Sequence, residues 1–261
     1  IETIRKFFNV NQLAEITLEA NPDDLTPDKT KELKKAGVNR LSIGIQTFDN
    51  GILESLNRSH DQQQAFDCVI NARDVSFKNL NLDIIFGLPT STQTSFEKDV
   101  RNLLAQKPEH ISAYWMTIEE KTVFGNWHKE GKLNPLSDEH ALNQWIFLKD
   151  ELKKAGYLQY EISNFSLPGF ESNHNGNYWK GTHYLGLGPS AHSFNGNERT
   201  WNIANNTKYI QGVENNTPYQ TTENLSQNDK INEHIMTRLR TSWGIDLQYL
   251  KEQLSFDLLT V

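Results

Sequence analysis

Four short apolar runs punctuate the first half of the chain, and each meets a polar residue that a buried strand does not need. Ile16-Thr17-Leu18 stops at Glu19, and Leu41 to Ile45 stops at Gln46. Leu82 to Phe86 carries Asp83, and Ile111 to Ile118 stops at Glu119. Helix signals fill the intervals. Thr26-Pro27 opens a helix and Gly37 closes it: threonine caps free N–H groups, proline suits the first helical position, and glycine suits the left-handed stop. Asp61 with Gln64 predicts a capping box for a helix to about Val75, and Thr94 with Glu97 predicts one for a helix to about Gln106. Ser137 opens a helix ending at Gly156, with Leu142, Trp145, Ile146 and Leu152 along one side. Strands alternating with helices predict an α/β fold with a parallel sheet and right-handed crossovers. Four such units are too few to close a barrel of eight. Ligands of such sheets sit beyond the carboxyl ends of the strands, so the row of polar residues maps a site.

The pattern changes after Gly156. Tyr157 to Phe165 is aromatic and reads as strand. Pro168 to Gly196 is rich in Gly, Asn and His, and reads as loop with short strands. Asn202 to Thr222 is polar and reads as mobile. From Ser226 an amphipathic helix is expected, with Ile231, Ile235, Met236 and Leu239. A domain boundary near 215–225 divides the chain into 1–220 and 221–261. Ile1 to Phe8 already reads as helix and Leu254 to Val261 stops without a closing turn, so both ends read as cut.

Composition narrows the function. The 261 residues suffice for a substantial core. A net charge of -7, from 33 acidic against 26 basic residues, argues against nucleic acid as the main partner. No apolar run reaches the length of a transmembrane segment, and mean hydropathy is -0.64. No signal peptide is visible, and one cysteine fits a reducing, cytoplasmic compartment. Cys68 reads as a small core residue of its helix. An iron–sulfur cluster needs three or four thiolates, so this chain's own residues cannot hold one.

The polar residues have plain and chemical readings. Glu19 can hold an amine or a ribose hydroxyl, or cap the next helix. Gln46 can satisfy a ligand or a loop backbone. Arg58 can clamp a carboxylate in bidentate fashion or lie on the surface. Asp83 can hold a ribose hydroxyl or anchor neighbouring N–H groups. Together, an acid, an amide, a guanidinium and a second acid match a zwitterionic nucleoside such as S-adenosylmethionine. Further on, His174-Asn175-Gly176-Asn177-Tyr178 holds two residue types that serve as axial haem ligands. Trp179, Tyr184 and Phe194 could cover a porphyrin face, or His174 and Tyr178 could simply staple a loop. His174, His183 and His192 recur every nine residues, which leaves a three-histidine metal site as a weaker alternative. Gly186-Leu187-Gly188-Pro189-Ser190-Ala191 matches a dinucleotide fingerprint only formally, since no helix-forming run follows.

The segments ITLEANPDDLT, NRLSIGIQTF, LNRSH, NLDIIFGLP and HISAYWM resemble the radical S-adenosylmethionine family. Within it they are most similar to the branch of HemN-type coproporphyrinogen III dehydrogenases and HemW-type haem chaperones. The resemblance runs from about Ile16 to about Leu247. It implies an incomplete (β/α)₆ partial barrel with a C-terminal extension, 171–196 carrying HNxxY and GxGxxAHS, and the start of a small helical C-terminal domain. It implies that Glu19, Gln46, Arg58 and Asp83 contact S-adenosylmethionine, and that His174 and Tyr178 bind haem. HNxxY and LEANP resemble the HemW type more than HemN. Glu119 matches no family ligand position.

The family's CxxxCxxC loop and its glycine-rich GGTP-type strand end have no counterpart in these residues. A [4Fe–4S] cluster is therefore expected only in a longer form of the protein, and this chain alone is expected to be inactive in radical chemistry. The leading expectation is a haem chaperone passing haem to acceptor proteins. Oxidative decarboxylation of coproporphyrinogen III in porphyrin biosynthesis is the enzymatic alternative, and a non-catalytic binding remnant the third.

Overall fold

The computed structural model describes residues 1–260, which pack as two units divided between Glu171 and Ser172. The first unit begins with α1 (Glu2–Phe7), which buries no residue. Four βα repeats follow: β1 (Thr17–Ala20), α2 (Pro27–Ala36), β2 (Arg40–Gln46), α3 (Asn50–Ser55) with α4 (Gln62–Asp74), β3 (Leu80–Phe86), α5 (Gln93–Ala105), β4 (His110–Trp115), and α6 (Val123–Lys129) with α7 (Asp138–Lys154). A hairpin of β5 (Leu158–Gln159) and β6 (Asn164–Ser166) ends the unit. The sheet order is β1-β2-β3-β4-β6-β5. β1 to β4 are parallel, whereas β6 pairs antiparallel with both β4 and β5. The sheet is open, an incomplete (β/α) barrel.

Alternation along the central strands builds the core. Leu41, Ile43, Ile45, Leu80, Leu82, Ile84 and Ile111 are all 0% exposed and face the helices. Each contributes about 1.5–3 kcal/mol of burial. Phe96, Val100 and Leu103 of α5 and Leu148 and Leu152 of α7 complete the same cluster. The predicted caps at Thr26, Asp61 and Ser137 are all present.

Several local expectations change. The α5 cap is Thr92, whose hydroxyl accepts from Ser95 N while Ser95 Oγ accepts from Thr92 N. Glu97 instead pairs with Arg101 one turn on. In α7 the buried stripe is Ala141, Gln144, Leu148 and Leu152, while Leu142 and Ile146 are exposed. Gln144 is drawn inward because its Oε1 accepts from Gly87 N at 2.8 Å and its Nε2 donates to Ser91 Oγ at 3.2 Å. β4 ends at Trp115, short of Glu119, which lies in an exposed turn. The expected strand Tyr157–Phe165 is the β5–β6 hairpin.

The second unit contains α8 (Asn173–Lys180), β7 (His192–Phe194), β8 (Glu198–Asn202), α9 (Asn206–Asn215), β9 (Gln220–Asn224), α10 (Gln227–Arg238) and α11 (Leu247–Gln253). β7, β8 and β9 form an antiparallel sheet. Two segments read as loop or mobile from sequence are helices. Ser172 caps α8 and Asn205 caps α9, each accepting a backbone N–H with its side chain. These caps outweigh the weak helix propensity of Asn and Gly. α10 starts at the Ser226–Asp229 capping box and buries Ile231 against Leu250 and Leu254; Met236 and Leu239 stay exposed.

GxGxxAHS is a structural turn. A Cβ at Gly186 would stand 2.1 Å from the backbone oxygen of His192. Strand β7 follows in place of the helix that a dinucleotide site needs.

Candidate functional site

Strand period 2 sets the polar face of the first unit. Glu19 of β1 is in register with Ser42, Ser42 with Asn81, and Asn81 with His110. One step on, Asp83 pairs with Ser112. These residues share the face opposite Leu41, Leu82 and Ile111. Asp83 is the fourth residue of seven-residue β3, so it lies mid-strand rather than at the tip the sequence suggests.

Gln46 does sit at the tip of β2, held with φ +66° beside a register shift between Ile43 and Gln46. The next residues are fixed by Asp99 of α5, which accepts from Thr47 Oγ1 at 2.6 Å and Phe48 N at 2.9 Å. Arg58 reaches back to the same tip. Its Nη2 donates to Asn21 Oδ1 at 2.8 Å and to the Gly44 carbonyl at 3.2 Å. Gly44 is what lets both side chains gather there. A Cβ on it would stand 2.7 Å from Gln46 Nε2 and 3.2 Å from Arg58 Nη2. Gln46 and Arg58 thus converge over Gly44. Glu19 is exposed, and its charge reaches Asp83.

Beneath them runs a buried network that the row of tip residues does not reveal. Asn81 Nδ2 donates to Asp83 Oδ1 at 2.6 Å and to Ser42 Oγ at 2.7 Å. Asn81 Oδ1 is therefore the acceptor, taking His110 Nδ1–H at 2.6 Å and Ser112 Oγ–H at 3.1 Å. That fixes the His110 tautomer, so its Nε2 accepts from Tyr160 OH at 2.7 Å. Burial pushes His110 down to about 3, leaving it neutral. Burial pushes Asp83 up to about 6, against the pull of the Asn81 hydrogen bond. Arg40, only 3% exposed, is lowered by burial, and Glu15, Asp83 and Glu19 oppose that shift. Period-2 polar spacing (Arg40, Ser42, Gly44, Gln46; Asn81, Asp83; His110, Ser112, Tyr114) is the sequence signal for this face. Asn21 was visible in LEANP, but its role depends on Arg58, 37 residues away.

In the second unit His174 and Tyr178 lie one helical turn apart on α8, not in a loop. Their rings meet edge-on, with centroids 5.0 Å apart at 86°. Tyr178 is 48% exposed and also touches Tyr184, at 4.8 Å. Tyr184 bridges to Phe194, while Trp179 lies under Arg240. The three evenly spaced histidines do not converge. His183 meets Phe194 edge-on and His192 stacks on Trp201. Among the described residues no three His, Cys, Asp or Glu are grouped to hold a metal ion. Cys68 is buried in α4 and its thiol is pushed up to about 12 by burial, so the residues present do not fit an iron–sulfur cluster. Among the described residues, no helix is long and apolar enough to cross a membrane.

The Radical SAM superfamily pattern matches residues 2–103. Over 244 residues the chain is 38% identical to the Heme chaperone HemW of Bacillus subtilis (strain 168), covering 93% of this chain and 64% of that protein. It is 39% identical over 182 residues to the Heme chaperone HemW of Escherichia coli (strain K12), covering 69% of this chain and 46% of that protein. A solved structure of coproporphyrinogen III oxidase (HemN) from Escherichia coli superposes with a TM-score of 0.82 at 24% identity, over 98% of this chain and 62% of that one. That last likeness is one of fold. The chain belongs to the radical S-adenosylmethionine superfamily, and within it to the HemN/HemW branch. It spans 64% of the length of the Bacillus subtilis relative.

Proposed function

We propose that this chain is the haem- and nucleoside-binding portion of a HemW-type haem chaperone. Haem, the cargo, binds at α8 through His174 with Tyr178 beside it, and passes to acceptor proteins. Glu19, Gln46, Arg58 and Asp83 belong to the contact set for S-adenosylmethionine. Glu19 suits the amino group, Arg58 the carboxylate and Asp83 a ribose hydroxyl, each by charge and donor type. In members of the family that hold it, the cluster supplies the electron that cleaves S-adenosylmethionine; in this chain the nucleoside residues bind and orient only.

The observation that carries the proposal is the His174–Tyr178 ring pair on an exposed helical face, in a chain 38% identical to a protein named Heme chaperone HemW. A loop staple would bury these rings, whereas Tyr178 is 48% exposed. The oxidase alternative is supported by likeness of fold alone. Ferric haem titrated into the chain and its His174→Ala variant is the test. The variant is expected to shift the Soret band and bind about ten-fold more weakly, by analogy with loss of a supporting metal-site residue. Identical spectra and affinity would remove His174 from the role.

A further inference from the structure

The carboxyl tip of β2 closes in a turn that few residues with a side chain adopt. Thr47 N donates to the Ile45 carbonyl at 2.8 Å, and Gln46 between them has φ +66°. A three-residue turn with a positive central φ is the rare, strained form of the γ-turn. Such a conformation persists only where its surroundings over-determine it, and such residues gather at ligand sites. The β2–β3 ladder also gains one residue here, since Ile43 to Gln46 faces Leu82 to Ile84. Bulges of this kind re-aim a side chain. Ile45, Thr47 and Phe48 are buried, whereas Gln46 among them is half-buried.

Buried side chains from two other parts of the first unit grip both ends of this turn. His60, between α3 and α4, is 3% exposed. Its Nε2 donates to the Ile45 carbonyl at 3.2 Å, so one oxygen takes both the turn's own N–H and the imidazole. A carbonyl only accepts, so Nε2 carries the proton. Among the described residues Nδ1 has no hydrogen-bond partner, which leaves the Ile45 bond as the ring's polar anchor. Arg58, two residues earlier, takes the preceding carbonyl, that of Gly44. The segment bearing both is itself fixed. Arg58 N donates to the Leu53 carbonyl at 3.0 Å, and Gln62 N donates to Asn50 Oδ1 at 2.7 Å. On the far side Asp99 of α5, 4% exposed, accepts from Thr47 Oγ1 and Phe48 N. Thr47 Oγ1 in turn accepts from Asp49 N at 3.1 Å. His60 therefore holds the residue before Gln46, and Asp99 holds the two after it.

We propose that His60 and Asp99 are positioning residues of the nucleoside site, which hold the strained turn that presents the Gln46 amide to the ligand. This rests on Gln46 being a contact for S-adenosylmethionine. S-adenosylmethionine is titrated calorimetrically into the 261-residue chain and its variants, with far-UV circular dichroism as the check on folding. The variants are Gln46→Ala, His60→Phe, His60→Gln, Asp99→Asn and the double variant His60→Phe with Gln46→Ala. Phenylalanine keeps a ring without a donor, whereas the glutamine amide can donate in place of Nε2. Gln46→Ala and His60→Phe are each expected to weaken binding about ten-fold, and Asp99→Asn about three-fold. His60→Gln should recover most of the loss. The double variant should bind no more weakly than Gln46→Ala, because His60 acts through Gln46. Additive losses in the double variant overturn the positioning role and leave Gln46 a contact. Wild-type affinity in His60→Phe, with loss in Gln46→Ala, does the same. Wild-type affinity in Gln46→Ala removes Gln46 from the contact set, and the proposal with it. Absence of binding by the wild-type chain overturns the nucleoside reading and this proposal together. The turn is also read without ligand, by the NMR Overhauser effect between the amide and α protons of Gln46. A positive φ brings these protons closer than an extended backbone does. The effect should be strong in the wild type and His60→Gln and weaker in His60→Phe. If His60→Phe misfolds, Asp99→Asn carries the comparison, and an effect of wild-type strength in it overturns the clamp.

Discussion

The two units place their polar chemistry in opposite ways. The first hides it under a continuous apolar core that runs from Leu25 to Phe165. Glu19, Gln46 and Asp83 stand on strands of a sheet whose other face is sealed, and Asn81 holds Asp83 directly. Among the described residues, the core of the second unit is Ile231, Leu250 and Leu254, with four partly buried neighbours. Its sheet is largely polar, and β9 is exposed at every position. Ring contacts and the Arg199–Glu233 fork stand where packing would be. A site on a packed sheet is set before its ligand arrives, while one on a thin core is free to adjust to it. The proposed nucleoside contacts fall on the first arrangement and the proposed haem contacts on the second.

The largest expected effect tests the core. Leu82→Ala should destabilise the first unit by about 2–5 kcal/mol, as a methylene-rich side chain leaves a close-packed site. Urea unfolding with hydrogen exchange at the β3 amides measures it, and a loss below about 1 kcal/mol would contradict close packing. Next comes Asp83. Its folded carboxyl is raised from 3.8 to about 6, so the folded state binds more protons than the unfolded one between those values. Stability should therefore fall as pH rises from about 4 to about 6 and level off above. Asp83→Asn should flatten that slope, by on the order of 1–3 kcal/mol, while weakening S-adenosylmethionine binding. An unchanged slope would place the buried charge elsewhere.

A smaller effect separates the tip residues. Gly44→Ala should displace both Gln46 and Arg58 and lower S-adenosylmethionine affinity by about ten-fold, whereas Asn21→Ala, which removes one of the two acceptors of Arg58, should cost about three-fold. Isothermal titration ranks the two, and a reversed order would break the shared role of Gly44. The smallest concerns the thin core. Glu233→Gln halves the charge of a part-exposed fork and should cost only about 0.2–1 kcal/mol. Its signature is faster exchange confined to α10, and global loss would mean that the second unit is as cooperative as the first.

Much of the first unit was legible because its signals are local. Thr26, Asp61 and Ser137 cap helices from within a few residues, and the apolar runs become β1 to β4. Gln144 was not legible, since its inward turn answers Gly87 and Ser91 across more than fifty residues. The depth of Asp83 follows from register, which no single strand contains. α8 was hidden because its Asn and Gly residues argue for loop until Ser172 supplies the cap. The cluster of Gln46 and Arg58 was legible as residue types, yet the 2.8 Å link from Arg58 to Asn21 needed the folded chain.

The hydrogen-bond direction fixed by Asn81 bears on inheritance. Donors point one way from Tyr160 through His110 and Asn81 to Asp83, and each residue's role is defined by its neighbour's. An aspartate at 81 would supply no N–H for Asp83, and a phenylalanine at 160 would leave His110 Nε2 unmet. Single substitutions here carry the full penalty of a stranded buried group, while concerted ones escape it. Across descendants of this sequence, positions 81, 83, 110 and 160 should change together or not at all.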